Sequence, residues 1–410
     1  MTQVRFLNGL ATIGGNIVEF TQGDSRVIMD FGVAADLSDE TVASAIAAGK
    51  LPNVPDLLLP DHADDYAHEA LFISHLHIDH MGALQYLQRD IPVYLSAPSY
   101  RLYQTLITLG LEAPVANLHP LPAETPLTVG QFTVTGYPSD HDEPGAMALL
   151  VHDGHRYYGH SGDVRLNGPH RDRVDHWADV FATKKLAMFL LEGTTFSFDT
   201  DTPVEDQAHP SAPLTEATLV TQLTAQLRTA KALVAINPYN RNYERLANLQ
   251  AAAHAAGREM VWEPVDAEIL TTMTGTAPDQ VIDQTVTRDA LKAAPAHYLL
   301  ETTFAHRDWL ADLPVSAYVH TNGEPLGDYD PRFAQLQAFL QAHQIPLTFL
   351  SCTGHATRTD LIALAQHVAP QVIVPWHTFK PEREAESLDA ATRADVLLPE
   401  KDLYYTLDAD

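Results

Sequence analysis

Cysteine is almost absent, with Cys352 the only one in 410 residues. One thiol can build neither an internal disulfide framework nor a cysteine-rich zinc site, so any metal must be held by histidine and carboxylate. Long apolar runs are missing too. No stretch approaches the roughly 20 apolar residues of a membrane span, and no membrane partner is expected. The opening segment Met1–Phe6 has no basic region ahead of an apolar stretch, so no secretory leader is expected and the expected location is the cytoplasm. Positive charge is also scarce: 25 Lys and Arg stand against 53 Asp and Glu, a net charge of −28. Such a balance repels polyanions at long range and argues against a simple nucleic-acid-binding surface. A local basic groove, or bound cations offsetting carboxylates, could still meet a polyanion. The bases available for that are Arg165, Arg171, Arg173, Lys184, Lys185, Arg241, Arg245, Arg358 and Lys380, scattered as on a solvated face.

The length suits two domains better than one, and a charged fraction of 19% leaves room for large buried cores. Histidine is abundant at 21 residues, so a lone His carries little information and only patterned histidines count.

Along the chain, Ile17–Phe20 and Arg26–Gly32 read as strands, Ser38–Lys50 as a helix with Ser38 as its cap, and Leu71–Ile73 as a buried strand running into a histidine cluster. Helices are expected at Gly82–Arg89 and Pro98–Leu109, and strands at Phe132–Thr135, Ala146–Val151, Arg156–Tyr158 and Leu186–Leu191. Asp199–Pro213 has the Asp, Thr and Pro content of a linker. Beyond it helix and strand alternate: Leu214–Arg228, Ala232–Ile236, Arg241–Ala256, Glu259–Trp262, Ala317–His320 and Phe333–His343, the mark of a layered α/β module. Leu347–Ser351, the helix Arg358–His367 and the strand Val372–Val374 follow.

His75, His77, Asp79 and His80 fall within six residues directly after a strand. In extended backbone, residues two apart project to one side, so His75 and His77 can meet one ion while Asp79 and His80 face a neighbouring position. Imidazole and carboxylate suit zinc, and manganese as well. Four residues cannot close two sites, so further ligands must come from other strand ends. His141, after the strand at 132–135, and Asp163, after the strand at 156–158, are the candidates, and a carboxylate at 163 can bridge two cations.

The order His-x-His-x-Asp-His, His141, Ser161-Gly162-Asp163 resembles the metallo-β-lactamase superfamily, as do Gly14-Gly15-Asn16 and Met29-Asp30-Phe31-Gly32. Leu190-Leu191-Glu192-Gly193-Thr194, Thr353-Gly354-His355-Ala356-Thr357 and Val374-Pro375-Trp376-His377-Thr378 resemble motifs of its β-CASP subgroup, and Asn240-Arg241 is similar to that subgroup's inserted domain. The whole is most similar to ribonuclease J-like proteins, and their additional C-terminal domain is not expected in this chain. The resemblance implies an α/β fold: an αββα sandwich (1–200, resumed at 347–410) with an inserted β-CASP α/β domain at 201–346. It implies one divalent ion, zinc or manganese, on His75, His77 and His141, a second on Asp79, His80 and His377, and Asp163 bridging. Glu192 would orient His355, Asp30 would support the ligand loop, and Thr357, beside Gly354, would hold a phosphate of the substrate.

Two ions generate a bound hydroxide near neutral pH and stabilise charge on an attacked phosphoryl group, with Asp79 in the catalytic centre. His355 can protonate the leaving oxygen, and Glu192 would keep it protonated. The expected activity is hydrolysis of phosphodiesters in single-stranded RNA, with a homodimer by analogy. Two alternatives stay open: a metallo-hydrolase of a small ester, thioester or phosphodiester, and a non-catalytic partner in RNA processing. Asp140, Asp142 and Glu143 around His141 would repel RNA if they faced the site, and they are expected to point to solvent.

Overall fold

The computed structural model describes residues 1–34, 37, 40–62, 66–199, 214–327 and 330–406. Ser38 and all of the expected linker except Asp199 lie outside them. The chain divides into two compact units. The first is Met1–Leu166, His170–Asp201 and Gly354–Asp410, and the second is Asn167–Pro169 and Thr202–Thr353.

The strands of the first unit begin with β1 (Gln3–Asn8), β2 (Ile17–Gln22), β3 (Ser25–Met29), β4 (His68–Phe72), β5 (Val93–Ser96) and β6 (Leu118–Leu121). They continue with β7 (Leu127–Val129), β8 (Phe132–Pro138), β9 (Met147–His152), β10 (Tyr157–His160) and β11 (Met188–Glu192). The second unit contributes β12 (Leu233–Pro238), β13 (Glu259–Trp262), β14 (Gln280–Val281), β15 (Tyr298–Glu301), β16 (Val315–Thr321) and β17 (Leu347–Phe349). The chain then returns to the first unit with β18 (Val372–Trp376), β19 (Asp395–Val396) and β20 (Tyr404–Tyr405).

In the first unit the strands form two seven-stranded sheets, ordered β20-β1-β2-β3-β4-β5-β6 and β19-β18-β11-β10-β9-β8-β7. Their facing pleats make one core: Phe6, Phe20, Met29 and Phe72 from the first sheet meet Phe132, Leu149, Met188, Leu190 and Trp376 from the second. Successive strand residues alternate faces. Leu150, Phe189, Leu191 and Ile373 therefore point outward, where they join Val174, Trp177 and Phe181 of the helix Arg171–Lys184 and Leu361 and Leu364 of the helix Arg358–Val368. Covering on both faces explains why β11 reads Met-Phe-Leu-Leu with no polar residue before Glu192. Across the first sheet the helix Ala97–Thr108 packs on β5 and β6. This is the expected αββα sandwich.

Several elements differ from the sequence reading. The first helix is Val42–Ala47, capped by Thr41. Gly82–Tyr86 is a 3-10 turn, not an α-helix. β8 runs on through Gly136 to Pro138, paired with β9. Helices at Arg171–Lys184, Pro264–Thr274 and Pro381–Ala391 were not anticipated.

The second unit is a parallel sheet ordered β14-β13-β15-β12-β16-β17, with the helices Glu216–Thr229, Tyr243–Ala255 and Pro331–Ala342 among its elements. The return to the first unit, expected at 347, comes later. Leu347–Phe349 pairs with Tyr318–His320 as the edge of this parallel sheet, and the first unit resumes at Gly354. No helix among the described residues is long and apolar enough to cross a membrane.

Candidate metal centre

Six strand ends of the first unit carry the site. Asp30 follows β3, the segment Ser74–His80 follows β4, His141 follows β8, Asp163 follows β10, Glu192 ends β11 and His377 follows β18. The loop after β4 is fixed from behind by backbone. Asn16 N donates to Asp79 O at 2.8 Å, Phe31 N to His80 O at 2.7 Å and Val33 N to Ile78 O at 3.1 Å. Asp30, in the left-handed region at φ +59°, accepts from Ser74 N at 2.7 Å and holds His80 Nδ1 at 2.8 Å. Gly32 is required by close approach, because a Cβ there would lie 1.7 Å from Asp79 O.

Two groups of side chains come within reach of a common ion: His75, His77, His141 and Asp163, and beside them Asp79, His80 and His377. Asp163 lies between the groups, with Oδ2 3.6 Å from His75 Nε2 and 3.8 Å from His141 Nε2, and Oδ1 3.4 Å from His80 Nε2 and 3.6 Å from His377 Nδ1. Asp79 Oδ2 is 2.8 Å from His377 Nε2 and 3.5 Å from His80 Nε2. Imidazoles that bind metal are usually fixed through their other nitrogen. Here Ser74 Oγ meets His75 Nδ1 at 3.0 Å, Asp30 holds His80 Nδ1, the Gly354 carbonyl holds His141 Nδ1, and Thr194 Oγ1 meets His377 Nδ1 at 2.7 Å. His377 itself takes φ +54°, a conformation that costs energy in a non-glycine residue and tends to persist at functional sites.

Unsatisfied polar atoms test whether cations fit this cluster. Both oxygens of Asp163, and His75 Nε2, are buried and make no hydrogen bond among the described residues. Such atoms are costly to bury unless something ligates them. Burial drives His75 well below the ordinary imidazole range, with His80 and His77 adding to it, and burial brings His141 down to about 4, so both are neutral and ligand-competent. Burial opposes ionisation of Asp79, but His80 and His377 hold it at about 2. Buried anions face the neutral His75 and His141 nitrogens, while at His77 and His80 burial opposes charge but the surrounding carboxylates outweigh it and push both imidazoles up, so a divalent cation there would take the place of protons.

Glu192 and His355 pair at the same rim. Glu192 Oε1 is 3.1 Å from His355 Nδ1 and accepts from Val164 N at 3.2 Å, while Oε2 accepts from Thr194 N at 2.9 Å. His355 Nε2 is 4.0 Å from Asp163 Oδ2. Burial opposes charge on His355, but Glu192 outweighs it, Asp163 and Asp142 add to the effect, and the imidazole is pushed up to about 10. Asp163, His355 and His377 also lie close enough for a cation. A His355 held protonated by Glu192 is better fitted to carry a proton than to ligate.

Gly354 packs on His141, where a Cβ would fall 2.6 Å from the ring. Thr357 Oγ1 caps the helix Arg358–Val368, accepting from Asp360 N at 3.2 Å and donating to Asp360 Oδ2 at 2.8 Å. The three acids expected in solvent turn inward. Asp140 pairs with Arg165 at 2.8 Å. Glu143 accepts from Leu76 N at 3.0 Å and Ser99 Oγ at 2.9 Å, bracing the ligand loop. Asp142 Oδ1 lies 3.0 Å from His77 Nε2 and 3.3 Å from His141 Nε2. Several of the candidate bases are engaged internally: Arg165 by Asp140, Arg245 by Glu216 at 2.7 Å, and Arg358 by the carbonyls of Thr195 and Phe198. The contacts of Ser74, Thr194 and Asp142 with these imidazoles were not read from the sequence. Thr194 stands inside the quoted Glu-Gly-Thr motif, which was its only available signal.

Residues 54–188 match the Beta-lactamase superfamily domain. Ribonuclease J of Mycolicibacterium smegmatis is 27% identical over 277 residues, covering 63% of this chain and 44% of that protein. Ribonuclease J of Thermus thermophilus is 23% identical over 411 residues, covering 90% and 67%, and that of Sinorhizobium meliloti is 25% identical over 383 residues, covering 80% and 61%. The chain thus spans between 44% and 67% of the length of these relatives. A crystal structure of a protein of unknown function from Enterococcus faecalis V583 aligns at a TM-score of 0.85 and 27% identity, covering 98% of this chain and 99% of that one. With paired histidine–carboxylate groups on one rim of an αββα sandwich, the chain carries a region similar to the Beta-lactamase superfamily domain and resembles ribonuclease J over most of its length.

Proposed function

We propose that this protein is a two-metal phosphodiesterase acting on single-stranded RNA. The observation that carries the reading is the Glu192–His355 pair, 3.1 Å apart, beside two ligand groups between which Asp163 lies. His75, His77 and His141 would hold one ion and Asp79, His80 and His377 the other, with Asp163 shared and zinc or manganese suited to the donors. Cations there supply a nucleophile at neutral pH and positive charge for the attacked phosphoryl group. The chain's own part is to fix both positions through Asp30, Ser74, Thr194 and Gly354, and to keep a proton on His355 for the leaving oxygen. The second unit is read as a β-CASP-like insertion, and Gly354 with Thr357 as neighbours of the substrate phosphate. A cytoplasmic location, in keeping with a sequence that has a single cysteine and so no internal disulfide, and a homodimer belong to the same proposal. The ribonuclease J relatives support RNA as substrate.

A second reading, a hydrolase of small esters, thioesters or phosphodiesters, draws on Asp142 beside the first position and Asp360 beside Thr357. Turnover of 5′-monophosphorylated single-stranded RNA, matched DNA and small chromogenic esters, with metal content measured in parallel, separates the two. RNA cleavage that is lost on chelation and restored by zinc or manganese is expected. Ester turnover by a doubly loaded protein indifferent to RNA sinks the nuclease and leaves the second reading.

A further inference from the structure

Asp142 belongs to neither ligand group and makes no hydrogen bond with Glu192 or His355 among those the structure shows. Its position is nonetheless specific. His75, His80 and His141 each give Nδ1 to a fixed partner and turn Nε2 to Asp163, and His377 gives Nδ1 to Thr194 and Nε2 to Asp79. His77 is reversed. Its Nδ1 lies 3.3 Å from His141 Nε2, and its Nε2 faces Asp142 Oδ1 at 3.0 Å. Among the five, His77 therefore meets its partner through the opposite nitrogen, and that partner is a carboxylate. The same oxygen stands 3.3 Å from His141 Nε2, the nitrogen that faces Asp163 and would meet a cation. Gly354 closes the far side: a Cβ there would come within 3.2 Å of the Asp142 carboxyl carbon and 2.6 Å of the His141 ring. His141 and Asp142 are thus pressed together by one backbone segment.

We propose that Asp142 is an anionic positioning residue of the first metal position. It holds His77 by the nitrogen turned away from the cation, and its charge strengthens the hold of His75, His77 and His141 on that cation. Carboxylates that orient a ligating imidazole contribute about 10–100-fold to metal affinity. Asp142 would also leave the centre with three carboxylates, Asp79, Asp142 and Asp163, against two divalent ions, so its residual positive charge is one unit smaller than the ligand set alone would give. The inference rests on the two-metal reading and needs no substrate to be tested.

Metal-free protein is titrated with zinc against a competing chromophoric chelator, comparing wild type with Asp142→Asn, Asp142→Glu and Asp79→Asn. Wild type should bind in two steps. Asp142→Asn keeps the shape and removes the charge. It should weaken one step about 10–100-fold and leave the other, while Asp79→Asn weakens the other and Asp142→Glu recovers part of the loss. Unchanged affinity in Asp142→Asn, or equal loss of both steps, overturns the proposal while the wild-type steps stand. A wild type that binds fewer than two ions overturns this inference and the two-metal reading together.

Discussion

His355 sits where two effects oppose each other. Burial disfavours its charge, and Glu192 with Asp163 and Asp142 favours it, with the result near 10. Cations at the two ligand groups would push back down, so the working value should lie below that. The sign is fixed: a base whose value is raised keeps its proton until the pH climbs through it. The stability contributed by the pair is present below the unfolded imidazole's value of about 6.5 and is lost as pH rises through the folded value. Turnover that uses His355 as the acid should fall over the same alkaline limb. Glu192→Gln removes the main raising influence and should move that limb of the kcat profile to lower pH. His355→Ala should keep both ions and lose about 10²–10⁴-fold in kcat. Steady-state rates across pH with metal content measured on each variant check this. An unmoved limb in Glu192→Gln would mean that His355 is not the group that titrates.

Elements decide whether these residues meet, and elements were unevenly legible in the sequence. The loop His75–His80 was readable because its candidate ligands are neighbours in sequence. The other candidate ligands were proposed from their order along the chain, since nothing local says that β8, β10 and β18 end on one rim. The direction of Asp140, Asp142 and Glu143 was misread because it is set by distant partners: Arg165 for Asp140, Leu76 N and Ser99 for Glu143, His77 for Asp142. The helix Arg171–Lys184 was missed although Val174, Trp177, Ala178 and Phe181 form a helical stripe, because the charged residues between them lower its average hydrophobicity. Gly32 shows how closely these elements fit. The atoms that a Cβ would strike are Asp79 O at 1.7 Å and Asp79 C at 2.1 Å, which are backbone and cannot rotate aside. Gly32→Ala should shift the ligand loop, cost about 1–3 kcal/mol of stability and weaken the ion held by Asp79 and His80. Thermal melts and metal stoichiometry read both effects, and a variant that melts and loads like wild type would show the loop to be more yielding than this packing implies.

At the scale of the whole molecule, the net charge of −28 is sharpened by where the cations go. Arg26 is buried between Asp56 and Glu69, Arg245 against Glu216, and Arg258 on the carbonyls of Leu227, Ala230, Ala232 and Tyr298. These arginines hold the fold together and cannot also line a path for a polyanion. On the proposed reading, an RNA strand would approach through a repulsive field and gain attraction near the metal centre, whereas a basic nuclease draws it in from a distance. Screening then works in the unusual direction. Raising monovalent salt from low ionic strength to about 0.15 M shortens the Debye length to about 8 Å. That should relieve the long-range repulsion while sparing contacts at the ions, so kcat/KM for RNA should rise or hold level over this range. A protein that binds RNA by neutralising phosphates with Lys and Arg loses affinity steeply over the same interval. A steep fall in kcat/KM would therefore mean that the surface presents a basic track despite its net charge, and Lys184, Lys185 and Lys380 would be the first side chains to replace.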